Sequence, residues 1–344
     1  MFFAKKLFYL ICITLVVDRA NGWLWKRCCN DIQKGYCFSL YSTKPAPKCP
    51  STFSPTFTLY TRTATTGVRF TKESIPSSFS NNRGTVFLVH GYTSYFNSDF
   101  AALKDALLKK DDWNVIATDW KEGAKFLTYS QAASNTRTMG ALIGAMVNEL
   151  RKRPGSKKHF WCIGHSLGAH VCGNTRLTAK PLLDRITGCD PAGPLFLPTQ
   201  GLIRSSASKV DIIHTDNFWG SIYLRGHVDF FPNGGKSQPG CPFGRMETNH
   251  EMTDEEKIKY MQKSFTGRGA FACSHSRALF YMTQSVINTQ CYVADKSCKF
   301  FPSKLTCETI PPNLQKGVMG YDAINHNYEG ILYLKPSTKS PYCT

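Results

Sequence analysis

The chain has 344 residues, of which 42% are hydrophobic and 13% aromatic, enough apolar material for a full core and too much for a disordered chain. Its formal net charge of +18 favours anionic partners such as acidic lipid headgroups or sulfated glycans. Nucleic acid is not expected as a partner, because no recognition module accompanies the basic charge.

Residues 1–22 read as a secretory signal peptide. Lys5 and Lys6 form the positive start, Phe8 to Val17 the apolar stretch, and Ala20-Asn21-Gly22 a small-residue cleavage site. The apolar run is about 10 residues, against the roughly 20 that a membrane-spanning helix needs. Its removal takes Lys5, Lys6, Arg19 and Asp18, which lowers the net charge from +18 to +16. A secreted, extracellular location agrees with the 14 cysteines, a number that suits an oxidising space. Cys12 leaves with the leader, so an odd number remain and at least one thiol is free or paired with another chain. Spacing alone does not determine the connectivity. No Cys-x-x-Cys or His-rich tract is present, and neither a metal nor a cofactor is expected.

Residues 23–60, rich in Cys, Pro, Ser and Thr, read as a disulfide-tethered arm leading into a single domain that runs to residue 344. Thr85 to Val89 predicts a buried strand that ends at His90-Gly91, and Val115 to Thr118 a second. Met139, Leu142, Ile143, Met146, Val147 and Leu150 recur at spacings of three and four, the apolar stripe of an amphipathic helix. The cluster Arg151, Lys152, Arg153, Lys157 and Lys158 reads first as a solvated helix end, with a binding surface as the alternative. His159 to Ile163, Arg185 to Cys189 and Val210 to His214 complete a series of strands separated by helical stretches. That alternation predicts an α/β fold with a mainly parallel sheet and helices on both faces.

The chemistry centres on Gly164-His165-Ser166-Leu167-Gly168, which follows a predicted strand and opens a predicted helix. A sharp strand-to-helix turn strains its middle residue, and flanking glycines give that residue room. The turn lifts the Ser166 hydroxyl out of the sheet beside a helix N-terminus, where developing negative charge is favoured. A serine hydroxyl is a weak nucleophile, so a base and an orienting acid are required. Asp190, in Gly188-Cys189-Asp190-Pro191, ends the next strand and faces the same crevice, although by itself it reads first as a turn cap before Pro191. His275, in Cys273-Ser274-His275, is the candidate base and completes the order Ser, Asp, His. His90, His165, His170, His214 and His227 are its rivals. The backbone N–H groups of Leu167 and Tyr92 are the candidate oxyanion donors, with Gly91 allowing a close approach.

These motifs resemble the pancreatic lipase family of secreted lipases and phospholipases A1. The resemblance rests on His90-Gly91-Tyr92, Gly164-His165-Ser166-Leu167-Gly168-Ala169-His170, Asp190-Pro191-Ala192, His214-Thr215-Asp216, Gly226-His227-Val228-Asp229-Phe230-Phe231-Pro232-Asn233-Gly234-Gly235 and Cys273-Ser274-His275, in family order. It implies an α/β-hydrolase fold, the triad above, and a Cys241–Cys273 bridge at the base of a lid spanning 241–273. Three departures follow. The chain stops at Thr344, so the C-terminal domain that docks colipase in the pancreatic enzyme is not expected. Arg204-Ser205-Ser206-Ala207-Ser208-Lys209 stands where calcium-binding members carry carboxylates, so no calcium is expected there. The loop Asn217 to Arg225 is short, as in phospholipases A1, whereas the lid is long, with 31 residues from Pro242 to Ala272.

Within the lid, Ile258, Met261 and Phe265 fall on one helical face, which suits a hinged cover that turns its apolar side to lipid; an ordinary surface helix fits the spacing equally. The expected activity is therefore hydrolysis of glycerolipid esters at a lipid–water interface, triacylglycerol first and phospholipid second. A lipid-binding or yolk-storage protein on the same fold is the alternative without catalysis, and a soluble esterase a third reading.

Overall fold

Runs of β-branched and aromatic residues become one large sheet in the computed structural model. It describes residues 16–18, 22–24, 26–39, 44–125, 128–241, 253, 256, 272–301, 304–311, 316–324 and 328–343. The backbones of β1 (Val16–Asp18) and β2 (Gly22–Leu24) pair antiparallel, as do those of β3 (Lys26–Cys28) and β4 (Cys37–Ser39). The main sheet contains β5 (Thr56–Thr61), β6 (Ala64–Phe70), β7 (Gly84–Val89), β8 (Trp113–Asp119), β9 (Phe160–His165), β10 (Leu183–Cys189), β11 (Ala207–Ile213), β12 (Val228–Pro232), β13 (Lys296–Phe301), β14 (Lys304–Thr309) and β15 (Gly330–Leu334). Its order is β14-β13-β15-β12-β11-β10-β9-β7-β8-β5-β6. The stretch from β15 to β8 is parallel throughout, and antiparallel pairs close both edges. Each strand expected from the sequence is present: β7, β8 and β10 run one to three residues past their expected bounds, whereas β9 starts after His159 and continues to His165, and β11 starts at Ala207 and ends before His214.

Four helices matter for the site: α1 (Ser98–Lys110), α2 (Tyr129–Arg151), α3 (Leu167–Asn174) and α4 (Cys273–Ile287). Asn97 caps α1, its side chain accepting from the amides of Asp99 and Phe100. Phe100, Leu103 and Leu107 of α1 join Ala278, Leu279, Met282 and Val286 of α4 in the core on one face of the sheet. α2 and α3 fill the other face. The stripe of α2 is buried as expected, but so are Ala132, Ala133, Ser134, Asn135, Thr136 and Thr138 outside it. Two segments cover them: α3, whose Asn174 Nδ2 donates to Thr136 Oγ1, and the N-terminal arm, whose Cys29, Ile32, Phe38 and Phe53 share the same core cluster. Arg137 Nη1 donates to Ser39 O, and Gln131 Nε2 to Ala46 O.

The arm's disulfides, Cys28–Cys37 and Cys29–Cys49, both close within it, so packing and hydrogen bonds rather than a bridge hold it to the body. Its expected end at residue 60 is late, since β5 already enters the main sheet at Thr56. The further bridges are Cys162–Cys172, Cys241–Cys273, Cys291–Cys343 and Cys298–Cys307, and Cys189 is the free, buried thiol among the described residues.

β7 has β8 on one side and β9 on the other, so consecutive crossovers leave in opposite directions there. In a parallel sheet that arrangement opens a crevice at the C-terminal strand ends.

Candidate active site

β9 runs straight into α3 through Ser166, whose backbone sits at φ 57 and ψ −122. Such a conformation is costly for a residue with a side chain and persists only where its surroundings enforce it. The two flanking glycines explain how. A Cβ on Gly164 would lie 2.3 Å from the Gly168 carbonyl, and one on Gly168 would lie 2.1 Å from Val89 O. Strand, helix and the end of β7 therefore meet at distances that only glycine allows. Cys162–Cys172 bridges β9 to α3 just behind the turn.

Ser166 N–H donates to Cys189 O at 3.1 Å, and Ala192 N–H donates back to Ser166 O at 3.3 Å. These bonds set the serine beside Asp190, which is fully buried and also at positive φ, 46. Asp190 Oδ1 accepts from the amides of Thr215 at 2.8 Å and Asp216 at 3.2 Å. Its Oδ2 lies 2.6 Å from His275 Nδ1, at the first turn of α4. The main chain of His275 is held too, its carbonyl 3.0 Å from His165 Nε2. Ser166 Oγ makes no hydrogen bond among the described residues; the serine–imidazole contact of a substrate-free site commonly tightens only when substrate binds.

Burial lowers the imidazole of His275 to about 4, opposed by the nearby carboxylate of Asp216, so the ring is neutral at pH 7. Burial pushes the Asp190 carboxyl up, whereas the Thr215 and Asp216 amides pull it down. The 2.6 Å contact places one shared proton between the imidazole and the carboxyl group. With His275 Nδ1 on the carboxylate, Nε2 is the atom left to face the serine.

The rival histidines are committed elsewhere. His90 accepts the Trp120 amide at Nε2, and His214 pairs with Asp229 at 2.8 Å. His227 Nδ1 accepts from Val210 N, and His170 spans Ala192 O and Leu202 N. Burial holds His165 down at about 3, with the charge of His275 adding to the effect.

At the mouth of the crevice, a Cβ on Gly91 would fall 2.6 Å from Ser166 Cβ and 3.2 Å from its Oγ. Glycine thus lets the His90-Gly91-Tyr92 segment press against Ser166. Tyr92 is buried edge-on against Tyr129, ring centroids 5.1 Å apart. Leu167 N–H, first in α3, is among the amides a helix leaves without an internal partner. Trp219 is buried in the core, with Phe218 packed edge-on to it.

Three residues packed around Asp190 or its neighbouring loops were not singled out from the sequence. Asp216 is buried beside Asp190 and pushed up to about 6, chiefly by burial and then by Asp190. Its place at the end of β11, on the same edge as Ser166 and Asp190, was a usable signal. Gly220 lies directly under the Asp190 carboxylate, and Arg225 is 2% exposed in a cage of main-chain oxygens; neither has a local sequence signature. Cys241 and Cys273 are bridged, as the resemblance implied. Thr253 and Glu256 form a reciprocal side chain–amide pair. Ile258, Met261 and Phe265 lie outside the described residues.

A profile of the family described as Lipase matches residues 26–342. The chain belongs to the lipase family. Among curated relatives, pancreatic triacylglycerol lipase of Myocastor coypus is 36% identical over 71% of this chain and 55% of its own length. Phospholipase A1 of Polybia paulista is 30% identical over 89% of this chain and 95% of its own. The inactive pancreatic lipase-related protein 1 of Homo sapiens is 33% identical over 78% and 59%. The chain therefore spans about half the length of the curated pancreatic lipases it matches. A putative α/β-superfamily hydrolase from Xanthomonas campestris aligns with a TM-score of 0.33 and 15% identity over 57% of this chain and 96% of that one. This lipase-family chain carries Ser166 and Asp190 directly after the ends of β9 and β10, on one edge of a mostly parallel sheet.

Proposed function

We propose that this protein hydrolyses carboxylic esters of glycerolipids by acyl transfer to Ser166. The observation that carries the reading is the buried His275–Asp190 contact of 2.6 Å, set beside a serine held at φ 57. His275 Nε2 takes the Ser166 proton as Oγ attacks the ester carbonyl, and the amides of Leu167 and Tyr92 receive the resulting oxyanion. Each such donor contributes on the order of 3 kcal/mol to transition-state stabilisation. The imidazolium, steadied by Asp190, returns the proton to the leaving alkoxide; water then repeats the sequence on the acyl-enzyme and releases the fatty acid.

The substrate proposed first is triacylglycerol, on the long lid. Phospholipid is the second reading, favoured by the phospholipase A1 relative, which this chain matches along nearly its whole length. Leu197, Ile222, Tyr223 and Leu224 are exposed on the loops beside the Asp190 strand end, a surface suited to an aggregated lipid. With the net charge of +18, an anionic lipid surface or a sulfated glycan is the partner class proposed. The leader-like first residues and six disulfides support a secreted protein.

The test is turnover of emulsified triacylglycerol and phosphatidylcholine by wild type and by a chain with a trimmed lid, with organophosphate labelling located by mass spectrometry. Labelling at Ser166 with turnover supports the proposal. No label and no turnover of a short-chain ester would assign this chain to the catalytically silent members, of which one curated relative is named inactive.

A further inference from the structure

We infer that Arg225 is an internal cation that positions the Asp190 segment of the proposed triad. Its role rests on the triad reading above. The side chain is 2% exposed, and its hydrogen-bond partners include no carboxylate. Nη2 donates to Phe196 O at 2.7 Å, and Nη1 to Gln200 O at 2.9 Å and Leu202 O at 3.0 Å. Both reach Leu197 O at 3.4 Å, and Nε donates to Ser221 Oγ at 3.1 Å. The nearby acid, Asp229, is engaged elsewhere: Oδ1 by His214 and the main-chain amide of Arg225, Oδ2 by the amide of Gly226.

A buried cation is usually matched by an anion. Here main-chain carbonyl dipoles surround it, the donor chemistry of a hard-cation site, with a planar guanidinium in place of a metal ion. Burial lowers its pKa to about 10, with Tyr223 and Asp229 opposing, so the charge is retained at neutral pH.

The two segments it joins grip residues 190–193 from opposite sides. On one side Ser221 N–H donates to Pro191 O at 2.7 Å, Gly193 N–H to Trp219 O at 2.8 Å, and Gly220 supports the carboxylate from below. On the other, the Phe196 ring stacks on His170 at 3.6 Å. His170 Nε2 lies 2.8 Å from Ala192 O, and its Nδ1 accepts from Leu202 N at 3.0 Å. Arg225 is the one side chain bonded to both the 196–202 loop and Ser221 among the described residues. It closes a ring of contacts around Asp190, whose positive φ survives only if its neighbours enforce it.

Arg225→Ala and Arg225→Lys in the full chain test this, read by turnover of a soluble p-nitrophenyl ester, the pH profile and circular dichroism. The inference expects kcat to fall about 10²-fold, the cost of displacing a catalytic group by about 1 Å, with KM near that of wild type. The acid limb of kcat/KM should move to lower pH, because a displaced carboxylate no longer favours the imidazolium. Lysine should not restore kcat, since one ammonium cannot span the carbonyls of 196 and 202 and the hydroxyl of 221. Methylguanidinium should raise kcat of Arg225→Ala, whereas equal urea or sodium chloride should not. If Arg225→Ala does not fold, Arg225→Lys decides. A folded variant with wild-type kcat and acid limb overturns the inference while leaving the triad intact. An inactive wild type that fails to label at Ser166 instead overturns the triad reading, and this inference with it.

Discussion

Replacing Gly220 by alanine strains the acid of the proposed triad without touching any reacting group. A Cβ at this position falls 2.2 Å from Asp216 O and 2.5 Å and 2.6 Å from the two carboxylate oxygens of Asp190. Ordinary carbon–oxygen contact is about 3.5 Å, so the carboxylate or the loop beneath it must yield by about 1 Å. Asp190 has little freedom to do so, because Oδ1 holds two amides and Oδ2 the imidazole. A displacement of that size in a positioning group costs about 10²-fold in rate, which corresponds to about 2.7 kcal/mol. Overpacking also destabilises the fold by about 1 to 3 kcal/mol, so the melting temperature and kcat are measured on the same preparation. The assay is hydrolysis of a soluble ester below the melting transition, together with the rate of organophosphate labelling. Folded Gly220→Ala protein with kcat within about twofold of wild type would refute the reasoning, since it would mean that the carboxylate position does not limit turnover.

Further outcomes follow from the same geometry. Asp190→Asn should cost about 10⁴-fold in kcat by favouring the wrong imidazole tautomer, with circular dichroism unchanged. His275 must be unprotonated to act, and burial holds it below the ordinary 6.5, so the acid limb of kcat/KM should have its midpoint below 6.5. Asp216→Asn removes the carboxylate that raises that value and keeps an oxygen for the Phe218 and Trp219 amides; the limb should then move still lower, checked with a soluble ester across the acid range. Asp211→Ala leaves Arg185 without its bidentate partner in the core, which should cost about 3 to 5 kcal/mol by denaturant titration. Replacing both Cys241 and Cys273 by serine reopens a 32-residue loop, which the chain-entropy argument prices at roughly 3 to 4 kcal/mol.

The turn at Ser166 was legible because a strained strand-to-helix turn imposes a local demand, and Gly164 and Gly168 answer it within five residues. The core strands were legible for a similar reason, since a strand buried on both faces must be apolar along its length. α2 misled in part: its stripe marked the face toward the sheet, but nothing in residues 129–151 reveals that the arm would cover the other face. A helix pattern records where water is excluded by the sheet, not what a distant segment later covers.

Pairing of histidine with acid was beyond local reading. Six histidines were candidates for base, and each is a plausible ring until its neighbours are known; only folding leaves His275 on Asp190 and commits the others to Trp120, Val210, Leu202, Asp229 and the carbonyl of His275. Order along the chain and the family resemblance pointed to His275, whereas contact selects it. Asp216, Gly220 and Arg225 depend wholly on tertiary structure, because their partners lie on other loops and an isolated glycine or arginine carries no mark of what surrounds it. Local backbone strain is encoded by residues a few positions apart and so is written in the sequence. Shared burial and convergent hydrogen bonds link residues tens of positions apart, and the folded chain alone decides them.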